Sequence, residues 1–122
     1  MSWVAQTIAE FGRSIGIDNL QPDAAGLVQM AFDSGDRLCF EEVEDELLVY
    51  LIREVDSHDP ALKLRALALC GEIRQWEWPV QAGLRGADRL VFLVRLPQRA
   101  VSLNVLEQSL DLLTRLHAMA RG

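Results

Sequence analysis

Nine residues, ELLVYLIRE at 46–54, constrain the fold of this chain most. Leu47, Val49 and Leu51 alternate with Leu48, Tyr50 and Ile52, so a strand built from them is apolar on both faces. Such a strand belongs in the middle of a sheet, with cover on both sides. The apolar run within it, LLVYLI, is far too short to be one of the roughly 20-residue segments that span a bilayer.

The rest of the chain supplies the elements this strand requires. Val4, Ile8, Phe11 and Ile15 recur at helical spacing, and Gly16 is a plausible left-handed stop. The stretch IDNLQPDAAG breaks the periodicity and reads as a loop. Val28, Met30 and Phe32 then alternate with polar or small residues as a half-buried strand, Ser34-Gly35-Asp36 turns, and Leu38 and Phe40 resume the alternation on a second strand. After the strand at 46–54, Asp59-Pro60 starts a helix, with Asp59 as its N-cap, running through LKLRALALCGEIRQW. Trp78, Val80, Ala82 and Leu84 alternate as a fourth strand beyond Pro79. Gly86-Ala87-Asp88 turns into RLVFLVRL, a fifth strand with apolar residues on both faces. Ser102 or Asn104 caps a last helix with a stripe of Leu106, Leu110 and Leu113, widened by Leu112, Leu116 and Met119. No repeat or linker interrupts this order. The expectation is one α+β domain over residues 1–122.

The second helix carries two apolar sides. Leu62, Ala66, Leu69 and Ile73 share one; Leu64, Ala68 and Gly71 lie nearly opposite. One side serves the sheet. The other, a large residue among small ones, suits close approach of another element and predicts a subunit interface. We assign to that interface Leu64, Leu67, Ala68 and Gly71, with Trp76 and Trp78 after the helix, because Trp is enriched at interface centres. Both tryptophans also read as core. A chain that is 50% hydrophobic with mean hydropathy +0.10 fits an exposed apolar face that a partner covers.

Sites for chemistry are scarce. EEVEDE at 41–46 puts five carboxylates into six positions, but it lies between two strands, where a polar turn is required. A calcium loop needs spaced oxygens and a sharp-turn glycine, and paired catalytic acids need burial to split their pKa values. The run reads as a solvated corner, with no metal or cofactor site. His58 and His117 read as surface or capping residues, and Cys39 and Cys70 as free buried thiols of a reducing compartment. No P-loop, nucleophile elbow, C-x-x-C or G-x-G-x-x-G is present. An enzyme is not expected. Twelve basic against eighteen acidic residues, a net charge of −6, count against nucleic acid and against an anionic membrane. The N-terminal stretch has no secretory-signal pattern, so the expected location is the cytoplasm.

Five segments together carry a family resemblance: the MSW start, LVQMAFDSG, ALKLRALAL, QAGLRGADRLVFLVRL and VSLNVLEQSLDLLTRL. Over residues 1–120 the chain resembles the small acidic class I (CesT/SycE-like) chaperones of type III secretion systems, and within them the SycN type. The resemblance implies a helix–three strands–helix–two or three strands–helix order, with a twisted antiparallel sheet covered by helices and pairing through the second helix and following strand. It implies a heterodimer with a YscB-like small chaperone that binds the N-terminal segment of a YopN-like gatekeeper and keeps it secretion-competent. It implies no ATP hydrolysis, and a cytoplasmic place with a peripheral position at the inner membrane near the secretion apparatus.

For the client, an extended segment added to a sheet edge is the physical mode expected. Phe11 and Ile15 of the first helix, with Val28, Met30 and Phe32 of the first strand, are the expected client-binding set; the same residues also read as core. Two other readings stay open. One is a homodimeric chaperone for a secreted effector. The other, a small-molecule-binding α+β domain, needs convergent polar groups in an apolar cleft.

Overall fold

The computed structural model describes residues 3–18, 20–56, 59–71, 73 and 76–121. In chain order these form α1 (Trp3–Ser14), β1 (Leu27–Ala31), β2 (Arg37–Val43), β3 (Glu46–Glu54), α2 (Leu62–Gly71), β4 (Val80–Arg85), β5 (Arg89–Pro97), a 3-10 turn (Gln98–Ala100) and α3 (Leu103–Arg121). The strands make one antiparallel sheet in the order β1-β2-β3-β5-β4. The fold is α+β, and the doubly apolar β3 is central, as its pattern requires.

Leu47, Val49 and Leu51 turn to the helices and join Val28, Met30, Leu38, Phe40, Phe92 and Val94 in the main core. Val4, Ile8 and Phe11 of α1, Leu62 and Ala66 of α2, and Leu106, Leu113 and Leu116 of α3 close it from above. Phe11 meets Phe40 edge-on, with ring centroids 5.7 Å apart. The other face differs from expectation. Cys39, Leu48, Tyr50 and Ile52 form a second cluster with Leu27, Val91 and Leu93, and every member is a strand residue. Neighbouring sheet side chains, including Arg85 over the Tyr50 ring at 5.8 Å, screen it in place of a helix.

Several boundaries move for local reasons. α1 ends at Ser14, and Gly16 takes φ 88°, with its N–H bonded to the Arg13 carbonyl. Ile15 therefore leaves the helical register and is 37% exposed instead of extending the buried stripe. β4 starts at Val80, after Pro79, so Trp78 precedes the strand. Ser102, not Asn104, caps α3: its Oγ accepts the Val105 N–H at 3.1 Å. The described part of α2 stops at Gly71, and His58, Glu72 and Gln75 lie outside the described residues.

The acidic run is mostly strand and not all turn: Glu41, Glu42 and Val43 end β2, Glu46 starts β3, and the tight turn is Glu44-Asp45 alone. Glu44 adopts φ 55°, left-handed for a non-glycine residue. The chain after β5 holds it there. Gln98 N–H donates to the Asp45 carbonyl at 2.9 Å, and Gln98 Nε2 donates to the Glu44 carbonyl at 3.1 Å. Arg95 pairs with Glu46 at 2.9 Å.

Candidate functional site

The orientation of α2 is set just before it begins, since the helix starts at Leu62 and not at Pro60. Asp59 Oδ1 accepts the Ala61 N–H at 3.1 Å, and Asp59 Oδ2 pairs with Arg65 Nη2 at 2.6 Å. The hydrogen bond from Arg65, first among its causes, holds the Asp59 carboxyl below the usual carboxylate range. Arg65 Nε also donates to the Ala120 carbonyl of α3 at 2.9 Å, so one guanidinium joins the two helices. With α2 held this way, Leu62 and Ala66 are buried, and Leu69, Cys70 and Ile73 pack against the core.

The opposite side of α2 stays in solvent. Leu64 is 70% exposed and Leu67 47% exposed, and Ala68 and Gly71 are exposed beside them. Trp76 and Trp78 are half-buried, stacked edge-to-face at 5.1 Å, and both lean on the core. Each is thus partly packed and partly exposed. α2 lies against β4, the sheet's edge strand. Of the described strands, β4 alone has no buried residue, and its Leu84 is 40% exposed. Leu64, Leu67, Ala68 and Gly71 therefore share the open side of α2, the helix that lies against β4, whereas Trp76 and Trp78 pack on each other and on the core.

The proposed client residues are not equally accessible. Phe11, Val28 and Met30 are buried in the main core, and Phe32 packs half-buried against it. Ile15 stands outside, in the turn after α1. β1 is the sheet's other edge strand.

The sequence reading missed one polar cluster. His117 is buried in the core, not on the surface, because it continues the Leu106, Leu110, Leu113 stripe at the next helical spacing. That spacing was the signal available. Its Nε2 lies 2.8 Å from the Leu51 carbonyl, its ring stacks edge-on against Phe92 at 4.9 Å, and Nδ1 is buried with no partner among the described residues. Burial is the main cause holding its pKa below the ordinary histidine value. Nearby, Arg53 forks onto Asp36, with Nη2 at 2.7 Å from Oδ2 and Nε at 3.0 Å from Oδ1. The β2–β3 register, with Arg37 opposite Ile52, sets Asp36 against Arg53. These groups line a cavity of about 760 Å³ that also includes Asp59, Arg65 and Arg121. Neither nitrogen of His117 is free to act as a base there, since one is engaged and the other sealed.

Cys39 and Cys70 are both free. Burial pushes each thiol pKa up, so neither is an activated nucleophile. Among the described residues, no group of three or more candidate ligands gathers for a metal ion, and no helix is long and apolar enough to cross a membrane.

The chain is similar to known proteins over nearly its whole length. Residues 3–120 match the family model described as the type III secretory system chaperone SycN. The chaperone protein SycN of Yersinia enterocolitica is 28% identical over 117 residues, covering 95% of this chain and 94% of the relative. Among solved structures, a chain of the ExsC–ExsE complex superposes with a TM-score of 0.75 at 17% identity, over 98% of this chain and 92% of that one. The Yersinia pestis type III secretion chaperone SycH, solved in complex with a stable fragment of YscM2, gives 0.72 at 14% identity, over 95% and 98%. At those identities the two structures speak to the fold alone.

Proposed function

Because the chain belongs to the SycN family of type III secretion chaperones, we propose that it works as one subunit of a heterodimer with a YscB-like small chaperone. The pair binds the N-terminal segment of a YopN-like gatekeeper and keeps it competent for secretion. The role is non-enzymatic and needs no cofactor. The whole chain, 1–122, acts as one domain in the cytoplasm.

The observation that carries this reading is the open side of α2. Leu64 and Leu67 are exposed next to an edge strand without a buried residue. A partner that covers them removes apolar surface from water at about 25 cal/mol per Å². We assign Leu64, Leu67, Ala68, Gly71, Trp76 and Trp78 to the subunit interface, and Phe11, Ile15, Val28, Met30 and Phe32 to the client side. In the client set, Ile15 and Phe32 make contact, and the three buried residues shape the surface behind them.

Co-expression with the small chaperone subunit, followed by light scattering, tests the proposal. A 1:1 complex that captures the gatekeeper's N-terminal segment supports it. A stable homodimer of this chain that ignores the second chaperone overturns it in favour of a homodimeric chaperone for a secreted effector.

A further inference from the structure

The end of α3 is held more by polar ties than by packing. Among the described residues beyond Leu116, only His117 and Ala120 are buried, and Ala118, Met119 and Arg121 stand in solvent. The cavity of about 760 Å³ borders this turn and is lined by both His117 and Arg121. Two hydrogen bonds tie the turn to the rest of the fold. His117 Nε2 donates to the Leu51 carbonyl of β3 at 2.8 Å, and the Ala120 carbonyl accepts from Arg65 Nε at 2.9 Å.

The tie at His117 holds in one charge state only. A carbonyl accepts, so the ring proton sits on Nε2, and Nδ1 is a buried lone pair with no partner among the described residues. A second proton on Nδ1 finds no acceptor where the ring lies. The charged groups around the cavity are already engaged or exposed. Asp36, in the turn before β2, is forked by Arg53 of β3, and Asp59 is paired with Arg65 of α2. Glu54, Asp56 and Arg121 are exposed. β5 meets the ring through Phe92, which carries no charge. Burial outweighs the rest: the Leu51 bond and Asp36 favour the charged ring, and Arg53 opposes it.

We propose that His117 is a proton-operated latch: protonation of its ring frees the last turn of α3, residues 117–121, from β3 and opens that end of the helix to water. Packing does not hold the freed turn, because Ala120 is the one other buried residue described in it. Arg65 loses the Ala120 carbonyl on release but keeps Asp59, so α2 stays in place and the opening is confined to α3. Acid favours release, since only the released ring takes the second proton. Above the ordinary histidine value near 6.5 the closed form gains nothing from opening and the latch stays shut. The device belongs to the fold of this chain and requires neither a second subunit nor a client.

Amide hydrogen exchange of the full chain, followed residue by residue at pH 7.5, 6.5 and 5.5 with low urea added, tests the latch. Between pH 6.5 and 5.5 the protection factors of the His117 and Ala118 amides are expected to fall about tenfold, one proton being taken up on release. That exchange runs through a local opening, which low urea does not accelerate. The amides of Leu51 in β3 and Ala66 in α2 do not exchange through it. In His117→Gln, whose amide still donates to Leu51 and does not titrate, the fall is absent. His117 and Ala118 amides that share the urea dependence of Leu51 at pH 5.5 overturn the proposal, because the helix end then opens only when the whole chain unfolds. The same tenfold fall in His117→Gln overturns it too, by assigning the response to carboxylates. The urea comparison uses the parent chain alone, so a variant that fails to fold leaves the test intact.

Discussion

His117 Nε2 lies 2.8 Å from the backbone oxygen of Leu51, so a single imidazole ties the last helix to the central strand. A carbonyl only accepts, which fixes the proton on Nε2 and leaves Nδ1 as a bare, buried lone pair. Charging this ring requires a proton on Nδ1 in a place without an acceptor. The neighbouring charges oppose each other, with Arg53 disfavouring the cation and Asp36 favouring it, and burial decides.

The folded-state pKa of His117 is therefore below its unfolded value near 6.5. A depressed pKa contributes stability that is present above the unfolded value and is lost as pH falls through the folded value. Urea midpoints measured from pH 7.5 downward are expected to hold steady to about 6.5 and then decline. In His117→Gln, whose amide can still donate to Leu51, that part of the decline disappears. An equally steep acid limb in the variant assigns the effect to carboxylates.

The fork between Arg53 and Asp36 leaves little water around either group, with side-chain exposures of 25% and 10%. Asp36→Ala strands a guanidinium beside the core. It is expected to cost about 2 kcal/mol, less than a fully buried pair because Arg53 keeps some solvent. Denaturant unfolding of the variant checks the figure.

Ser102 satisfies one of the free N–H groups at the start of α3. Ser102→Ala is expected to lower stability by about 1 kcal/mol, and Ser102→Gly by only a few tenths. Equal losses in the two variants show that the Oγ bond to Val105 contributes nothing.

Leu62 and Leu64 separate folding from pairing on one helix. Leu62 is buried in the core, so Leu62→Ala is expected to cost about 3 kcal/mol in the isolated chain. Leu64→Asp is expected to change isolated-chain stability by less than about 0.5 kcal/mol and to weaken pairing by tenfold or more. Unfolding curves and light scattering distinguish the two. A Leu64→Asp chain that pairs normally removes the open side of α2 from the interface.

Phe11 and Ile15 divide the client side in the same manner. Phe11→Ala is expected to cost about 3 kcal/mol through the cavity it leaves against Phe40. Ile15→Asp is expected to leave the fold nearly unchanged and to reduce capture of the gatekeeper segment. Unchanged capture by Ile15→Asp moves the client contact away from the turn after α1.

The central place of β3 and the two-sidedness of α2 were legible because periodicity is a local property. Leu47 and Leu48 face opposite ways in any strand, and Leu62 and Leu64 lie on different sides of any helix. Chain order alone also carried the helix–strand–helix–strand–helix plan, and the SycN-type resemblance rested on segments read directly from it. Packing decided the rest. Whether Ile15 is buried depended on where α1 stopped. The second face of the sheet went uncovered because α1, α2 and α3 all joined the main core. His117 needed a carbonyl from β3, and Asp36 needed the hairpin register to meet Arg53. The free edge of β4 exists because β5 pairs with β3 on its other side. These relations join residues far apart in the chain, and one-dimensional spacing holds no measure of such distances.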